Sequence, residues 1–417
     1  MPDNKKPKFF YGYVVVAASF GIQAITYGTF NAFGIFFNPL LKEFGWLRAV
    51  ISGASSVGML VLGLSSIIMG KLSDKFGPMR VMAVSGLLFG LGYLLMSQVN
   101  TVWQLYLFYS VVCVGISATD VVLLSTIAKW FVKRRGTMSG IAKVGTGVGM
   151  LIMPMVIGGL ISTYGWRPSF AIVGVIALLF TVLATPFLRR DPRQIRQLPD
   201  GDKEAITGGL ESVEQGLSLR EAIHTRQFWT ICAVFLPVCF IAQTILMHTA
   251  QHVVDFGISV ANAAGVLSTI GGLSIAGRFL MGSASDRIGS RQAMMICFLM
   301  WIAALFWLQF AKELWMLYVF ASIYGFGHGG FFTVLSPLVA ELFGIRSHGV
   351  IFGVITFSGM VGAAVGPVLA GHIFDITDSY QIAFLILTVA SIIGLVLVST
   401  LKPIDNERRK NDTGRST

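Results

Sequence analysis

GKLSDKFGPMR, residues 70–80, follows one long apolar run, and GSASDRIGSR, residues 282–291, follows another. Both read G-x-x-x-D-K/R-x-G with a further arginine just beyond, Arg80 in the first copy and Arg291 in the second. Each piece has a physical use. Gly70 and Gly282 leave room for two helices to approach closely. Asp74 and Asp286 offer a carboxylate to a helix end or to a nearby base, with Lys75 and Arg287 beside them. Gly77 and Gly289 permit a sharp turn. One copy would be an ordinary tight turn. Two copies in equivalent places of the two halves make an internal repeat of the parallel kind.

The chain around these stretches has the composition of a lipid-embedded protein. Of its 417 residues 54 % are hydrophobic and 12 % charged, with a mean hydropathy of +0.74. A soluble domain is roughly one-quarter charged, and long uncharged runs at half that share point to a bilayer. The net charge of +11 does not point to nucleic acid, because the basic residues lie in short connectors between apolar runs. A span needs about 20 largely apolar residues. That rule places twelve helices, at 11–37, 49–70, 81–98, 103–128, 137–161, 168–188, 227–254, 260–284, 292–311, 314–342, 348–372 and 381–401. Hydrocarbon offers the backbone no partners, so helices are the expected element. The first run is too long for the ~7–15-residue core of a signal peptide and is expected to remain as a span. Cys113, Cys232, Cys239 and Cys297 fall inside apolar runs without metal-ligand spacing and read as packing residues.

Lysine and arginine set the expected orientation. One set of connectors holds Lys71, Lys75 and Arg80, then Lys129, Lys133, Arg134 and Arg135, then Arg287 and Arg291. Lys5, Lys6 and Lys8 join them from the N-terminus, and Arg408, Arg409 and Lys410 from the C-terminus. The alternate connectors hold only Lys42, Arg48, Arg167 and Lys312. Both termini are therefore expected in the cytoplasm, as an even number of spans requires. Residues 189–226 open with RRDPRQIRQLPDGDKEAITGGLESVEQG, polar and rich in proline, glycine and charge. They read as a cytoplasmic linker between a six-helix bundle over 1–188 and a second over 227–417, which ends in a short cytoplasmic tail. The SLREAIHTRQFW end of the linker is expected to form a short surface helix.

The repeated stretch resembles the signature loop of the major facilitator superfamily, and the resemblance covers the chain except the termini and linker. It implies an all-α membrane fold of two pseudo-symmetric six-helix bundles, in which the loop helps lock the halves together in one of the alternating states. Within the superfamily, KWFVKRRGTMSGIAKVGTGVG, residues 129–149, looks like the start of the fifth helix in the monocarboxylate transporter family and the related oxalate–formate exchangers. FYGYVVVAASF, residues 10–20, is similar to their first helix, and YGFGHGGFFTVLSPLVAELFG, residues 324–344, to their tenth. The resemblance puts Arg278 at the family's eighth-helix substrate arginine. It adds Arg134 and Arg135 to Gly70, Asp74, Gly77, Arg80, Asp286, Arg287 and Gly289 as candidate gating residues. Two positions depart from the animal members: Ser274 stands where they have an aspartate, and Asn31 where they have a lysine. The exchangers also use a cation from the eleventh helix, and GVIFGVITFSGMVGAAVG, residues 349–366, has none. That favours a monoanion over a dianion.

The charges at membrane depth carry the chemistry. An arginine in mid-span costs ~2.5–3.5 kcal/mol on insertion scales unless it faces a cavity or a partner. A planar guanidinium holds a carboxylate with two parallel hydrogen bonds. Arg278 lies about eight residues, ~12 Å, from the end of its helix, and reads as a substrate-carboxylate anchor or as half of a fixed ion pair. Asp120 and Lys143 lie at matching depths, ~13.5 and ~12 Å, on adjacent antiparallel helices. They read as a permanent salt bridge, or as a proton carrier with a lysine that adds positive field. Imidazole titrates near neutral pH, and of the two histidines His248 is preferred to His328 on the tenth helix because the resemblance implies that the seventh helix lines the cavity. His252 and Asp255 lie nearer the rim as gate or solvated residues. The resemblance also implies that the helices of Tyr27, Asn31, Phe331, Phe332 and Ser358 line the cavity, which makes these residues candidates for the pocket wall. Gly136, Gly140, Gly145, Gly149, Gly359, Gly362 and Gly366 have the small-residue spacing of closely packed helices.

These features imply a secondary carrier of small monocarboxylates of the lactate or pyruvate kind, proton-coupled, working by alternating access. An oxalate–formate type antiporter is the alternative. A membrane enzyme lacks a catalytic grouping in the sequence, and a non-transporting sensor stays open. The candidate substrate residues are Arg278, His248, Asn31, Tyr27, Lys143 and Phe332; those for proton coupling are Asp120, Lys143 and His248. No cofactor, metal or obligatory protein partner is expected. The expected partners are a small organic anion, protons and the lipid of the cell's inner (plasma) membrane.

Overall fold

A computed structural model describes residues 9–201 and 216–402. Among them are twelve helices long and apolar enough to cross a bilayer. In the first half these are α1 (Gly12–Phe44), α2 (Arg48–Phe76), α3 (Pro78–Met96), α4 (Val102–Trp130), α5 (Arg135–Tyr164) and α6 (Trp166–Ala184). In the second they are α7 (Arg226–Asp255), α8 (Val260–Ile288), α9 (Ser290–Leu308), α10 (Leu314–Phe343), α11 (His348–Thr377) and α12 (Gln381–Ser399). No strand occurs among the described residues, only an isolated bridge between Gly216 and Gly344. The terminal basic residues Lys5, Lys6, Lys8, Arg408, Arg409 and Lys410 and the middle of the linker lie outside the described residues.

The repeat is visible in the packing. In the first half α1 lies on α5, α3 on α4 and on α6, and α2 on α4. Adding six to each label gives the contacts of the second half: α7 on α11, α9 on α10 and on α12, α8 on α10. The halves meet through the same relation, α2 against α11 and α8 against α5.

The two helices that carry the repeat run further than expected. The signature stretches are not connectors: Asp74 and Asp286 sit in the last turns of α2 and α8. Nothing in KLSDKF or SASDRI breaks a helix, so each continues to Gly77 or Gly289, which stop it at φ +86° and +89°. This places the two carboxylates against the other half. Asp286 accepts from the backbone amides of Gly136 and Thr137 at 2.6 and 2.7 Å and from the Thr137 hydroxyl at 2.7 Å. It thus caps the first turn of α5, whose amides have no intrahelical partner. Asp74 accepts from the Val350 amide at 3.0 Å in the first turn of α11 and lies 3.6 Å from Lys129. Both crossings are close. A Cβ on Gly70 would sit 2.2 Å from the Gly349 carbonyl oxygen, and one on Gly282 would sit 2.5 Å from that of Gly136. Beside them the buried His348 ring joins the Ser125 hydroxyl of α4, at 2.9 Å, to the Ser336 carbonyl of α10, at 3.0 Å.

Other candidate gating residues lie around this seam. The Arg135 guanidinium donates to the Ala128 and Phe131 carbonyls at 3.1–3.3 Å, capping the end of α4. Arg80, Arg134 and Arg287 are exposed. The linker runs over the same face. Asp200 accepts from the Val132 and Lys133 amides at 2.9 Å, and the Leu217 amide donates to Phe343 at 2.8 Å. The expected surface helix is a single turn, Leu219–Ala222, with a Ser218–Glu221 capping box.

The halves are therefore sealed at the linker face. On α8 the contact with α5 reaches Ile275, which a Cβ on Gly147 would meet at 2.5 Å; beside Gly271 and Gly272 the space is open. If the two aspartate caps hold this closure, Asp74→Ala with Asp286→Ala should open it. Each cap is worth ~0.5–2 kcal/mol, so the pair should move the open-to-closed ratio ~10-fold or more. Spin labels on the exposed positions Lys75 and Arg346 report it. A longer distance population is expected, and an unchanged distribution would show that the seal lies elsewhere.

Candidate functional site

Above the seal lies a cavity of about 100 Å³ between the halves. Its polar edge is made by Tyr27 and Asn31 of α1, Asp120 of α4, Lys143 and Thr146 of α5, the half-buried Gln243 of α7, Arg278 of α8, His328 of α10 and Thr356 of α11. The rest is mostly apolar, from Met59 and Leu62 of α2, Phe235, Ala242 and Leu246 of α7, and Phe352, Met360 and Ala363 of α11.

Asp120 is the centre of a closed network. Lys143 Nζ donates to its two oxygens at 2.8 and 3.0 Å. Gln23 Nε2 donates to Oδ1 at 2.8 Å, and the Tyr27 hydroxyl to Oδ2 at 2.8 Å. The Gln23 carbonyl in turn accepts from Thr146 at 2.7 Å. Gln23 and Tyr27 are one helical turn apart and so share a face of α1. Close packing of α1 on α5 makes the network possible: Cβ atoms on Gly145 and Gly149 would fall 2.2 and 2.0 Å from carbonyl oxygens of Phe20 and Ala24. Two charges at this depth would each cost several kcal/mol alone, and the remaining lone pairs and protons must also be satisfied. Here four donor contacts surround the carboxylate. The lysine also lies 4.9 Å from the Tyr27 ring centroid and 5.9 Å from that of Phe332.

Arg278 is different. It is 2 % exposed, yet no carboxylate pairs with it among the described residues. Its Nη1 donates to the Ser274 hydroxyl one turn earlier at 2.8 Å, and its Nε has no partner. Ser274 thus stands as a neutral support for the guanidinium. The head group presses on the other half, since a Cβ on Gly147 would lie 2.8 Å from Nη1.

The remaining candidates divide. Tyr27, Asn31, Lys143, Asp120, Phe332 and Arg278 all reach the cavity. His248 does not: its ring is held by the Tyr380 hydroxyl at 3.1 Å and the Pro367 carbonyl at 2.9 Å, away from the three charges. His328 takes the place expected for it, on the wall. Phe331 turns into the core of the second half against Phe298 and Trp301, and Ser358 donates to the Cys232 carbonyl of α7 at 3.1 Å. His252 and Asp255 stand nearer the rim, outside the cavity wall, with His252 among Phe256, Tyr380 and Phe384. Gln23 and Thr146 were not anticipated; the Gln23–Tyr27 spacing in an apolar run was the available signal. Among the described residues no group of three or more His, Cys, Asp or Glu side chains could hold a metal ion.

The chain matches the Major Facilitator Superfamily over residues 19–282 and 253–417, and it belongs to that family. It is 31 % identical to an uncharacterized MFS-type transporter, YhjX, of Escherichia coli over 74 % of this chain and 76 % of that protein. It is 23 % identical to monocarboxylate transporter 12 of Mus musculus over 96 % of this chain and 87 % of the relative, and 24 % identical to human monocarboxylate transporter 7 over 94 % and 86 %. Its fold resembles the proton:xylose symporter XylE with a TM-score of 0.76 at 14 % identity, covering 94 % of this chain and 96 % of that one. The human organic anion transporter MFSD10 gives 0.75 at 15 %, covering 93 % and 99 %. The protein is a multi-pass membrane transporter of the superfamily, with the monocarboxylate transporters among its near-full-length relatives.

The geometry of the buried pair makes a prediction. Asp120→Asn or Lys143→Met leaves one uncompensated charge and should cost ~3–5 kcal/mol of stability, whereas the double variant removes both charges and should lose less. Thermal unfolding in detergent reads this directly. Single losses that simply add in the double variant would mean that the two charges are not coupled.

Proposed function

We propose that the protein carries small monocarboxylates across the plasma membrane together with protons, by alternating access. The observation that carries this reading is a buried guanidinium on the cavity wall with no carboxylate of its own. A planar, permanently charged fork suits a carboxylate ligand. The monocarboxylate transporters among the relatives support the same class.

The charges on the wall support coupling to a proton. Arg278, Lys143 and Asp120 together give the empty cavity one net positive charge. A monoanion at Arg278 and a proton on Asp120, arriving together, leave that charge unchanged. A monoanion alone would cancel it, and a dianion alone would invert it. Lys143, released from a protonated Asp120, adds positive field toward the anion. The oxalate-type exchange reading has less support: α11 brings Phe352, Thr356, Met360 and Ala363 to the wall and no cation. In orientation, the Lys and Arg excess makes the linker face cytoplasmic, so the sealed face is the inner one and the cavity awaits ligand from outside.

In proteoliposomes, lactate or pyruvate uptake should accelerate when the outside is acidified, and a potassium-diffusion potential should leave it nearly unchanged. Uptake that ignores pH and needs internal oxalate or formate would replace symport by exchange. Arg278→Ala should weaken binding by ~2–4 kcal/mol. Arg278→Lys, which keeps the charge and loses the fork, should also fall well below wild type. Near-native binding by a folded Arg278→Ala protein would move the anchor to another group, Lys143 first.

A further inference from the structure

The hydrogen-bonding groups on the cavity wall are mostly committed. Asp120, Lys143, Tyr27 and Thr146 are bound into one network, and Thr356 donates to the Phe352 carbonyl at 2.8 Å. Two nearly inaccessible side chains keep an atom without a partner: Arg278, at Nε, and His328, at Nδ1. His328 is 6 % exposed. The aromatic rings around it give it no hydrogen bond. The ring lies 5.0 Å from Phe332, 6.1 Å from Tyr324 and 6.5 Å from Trp301, centroid to centroid. The Trp301 N–H is spent on the Tyr324 carbonyl, and the Tyr324 hydroxyl makes no bond to the imidazole. A buried polar atom without a partner is costly, and a cavity residue left so is suited to a ligand.

His328 is also placed next to Arg278. α10 touches α8 at the residue that follows it: a Cβ on Gly329 would lie 2.0 Å from the Ser274 carbonyl oxygen and 2.9 Å from the Arg278 amide. Arg278 and His328 therefore both line one cavity, from contacting turns of two helices. A guanidinium takes a carboxylate. An imidazole on the same wall offers such a ligand a second polar contact. In its neutral form it has one N–H and one bare nitrogen, so it can donate to a keto oxygen or pair with a hydroxyl.

We propose that His328 is a specificity-determining residue that reads the oxygen on carbon 2 of a 2-oxo or 2-hydroxy monocarboxylate. This rests on Arg278 as the carboxylate anchor. The apolar wall of Met59, Leu62, Phe235 and Met360 receives the rest of the molecule. A site that holds a buried partner for an oxygen discriminates against the ligand that lacks it, because the partner is then left unsatisfied.

The experiment compares pyruvate, L-lactate and propionate, three-carbon acids that differ only at carbon 2, as competitors for binding to the purified full chain. Wild type should favour pyruvate and lactate over propionate by ~10-fold or more. His328→Phe keeps an aromatic ring in the apolar niche and should bind the three acids alike, near the wild-type affinity for propionate. His328→Asn, with an amide able to donate and accept, should restore part of the preference. Arg278→Ala should lose all three acids together. A wild type indifferent to carbon 2, or a His328→Phe protein that keeps the preference, overturns the role of His328 while leaving the anchor in place. A wild type that binds none of the three overturns the anchor and this inference with it.

Discussion

A carboxylate in the last turn of one helix, capping the first amides of a helix in the other half, is the contact on which the rest of the architecture depends. It occurs twice, Asp286 on α5 and Asp74 on α11, related by the same internal symmetry that relates the halves. The amides it satisfies have no other protein partner. They lie at a helix end where water can replace the carboxylate once the halves part. Such a bond is worth ~0.5–2 kcal/mol, enough to bias an equilibrium and too little to freeze it. The glycine crossings beside each cap supply shape with no side chain to disengage.

Closure at one face determines what the cavity must tolerate. Its walls come from both halves, and charge buried there has to be neutral or nearly so. The Asp120–Lys143 pair meets that condition within one half, through α1, α4 and α5 alone. Its hydrogen bonds do not cross the interface between the halves. Arg278 is in the other half and has only the neutral Ser274 beneath it. An arginine so poorly compensated at depth is tolerable where it reaches a cavity, which is where it is found.

Much of this was readable from the chain, for physical reasons. Span length, charge placement and the duplicated GxxxD stretch report on the bilayer and on symmetry, which act on every residue. The depth match of Asp120 and Lys143 follows from helix rise alone. What could not be read was rotation. In a helix apolar on all sides the polar pattern does not say which face meets the cavity. His248 and His328 are both histidines in apolar runs, yet one is held by Tyr380 and Pro367 and the other lies on the wall with the three charges. Their phases are set by backbone contacts such as Gly329 on Ser274, which have no local signature. The signature stretches were misplaced as connectors for a related reason: charge in KLSDKF suggests a loop, while its backbone has no breaker before Gly77.

Two positions that the sequence resemblance sets apart from the animal monocarboxylate transporters, Ser274 and Asn31, gain meaning from this geometry. An aspartate at 274 would sit one turn from Arg278 and could neutralise it within α8. Ser274 supports the guanidinium through one hydrogen bond and leaves its charge open. At position 31, an asparagine donates to the Tyr27 carbonyl at 2.8 Å and adds no charge to the wall. The acid and the amine are instead supplied by Asp120 and Lys143, in the half opposite Arg278. On the proposed assignment the proton site and the anion site therefore belong to different halves. They are brought together by α5 and α8: the guanidinium presses on Gly147, one turn beyond Lys143. Any side chain at 147 would meet Nη1 and hold the two charge centres apart. Coupling then depends on the same crossing of α5 and α8 that Asp286 caps at the linker face, so the contact that seals the protein also sets the distance between its two charge sites.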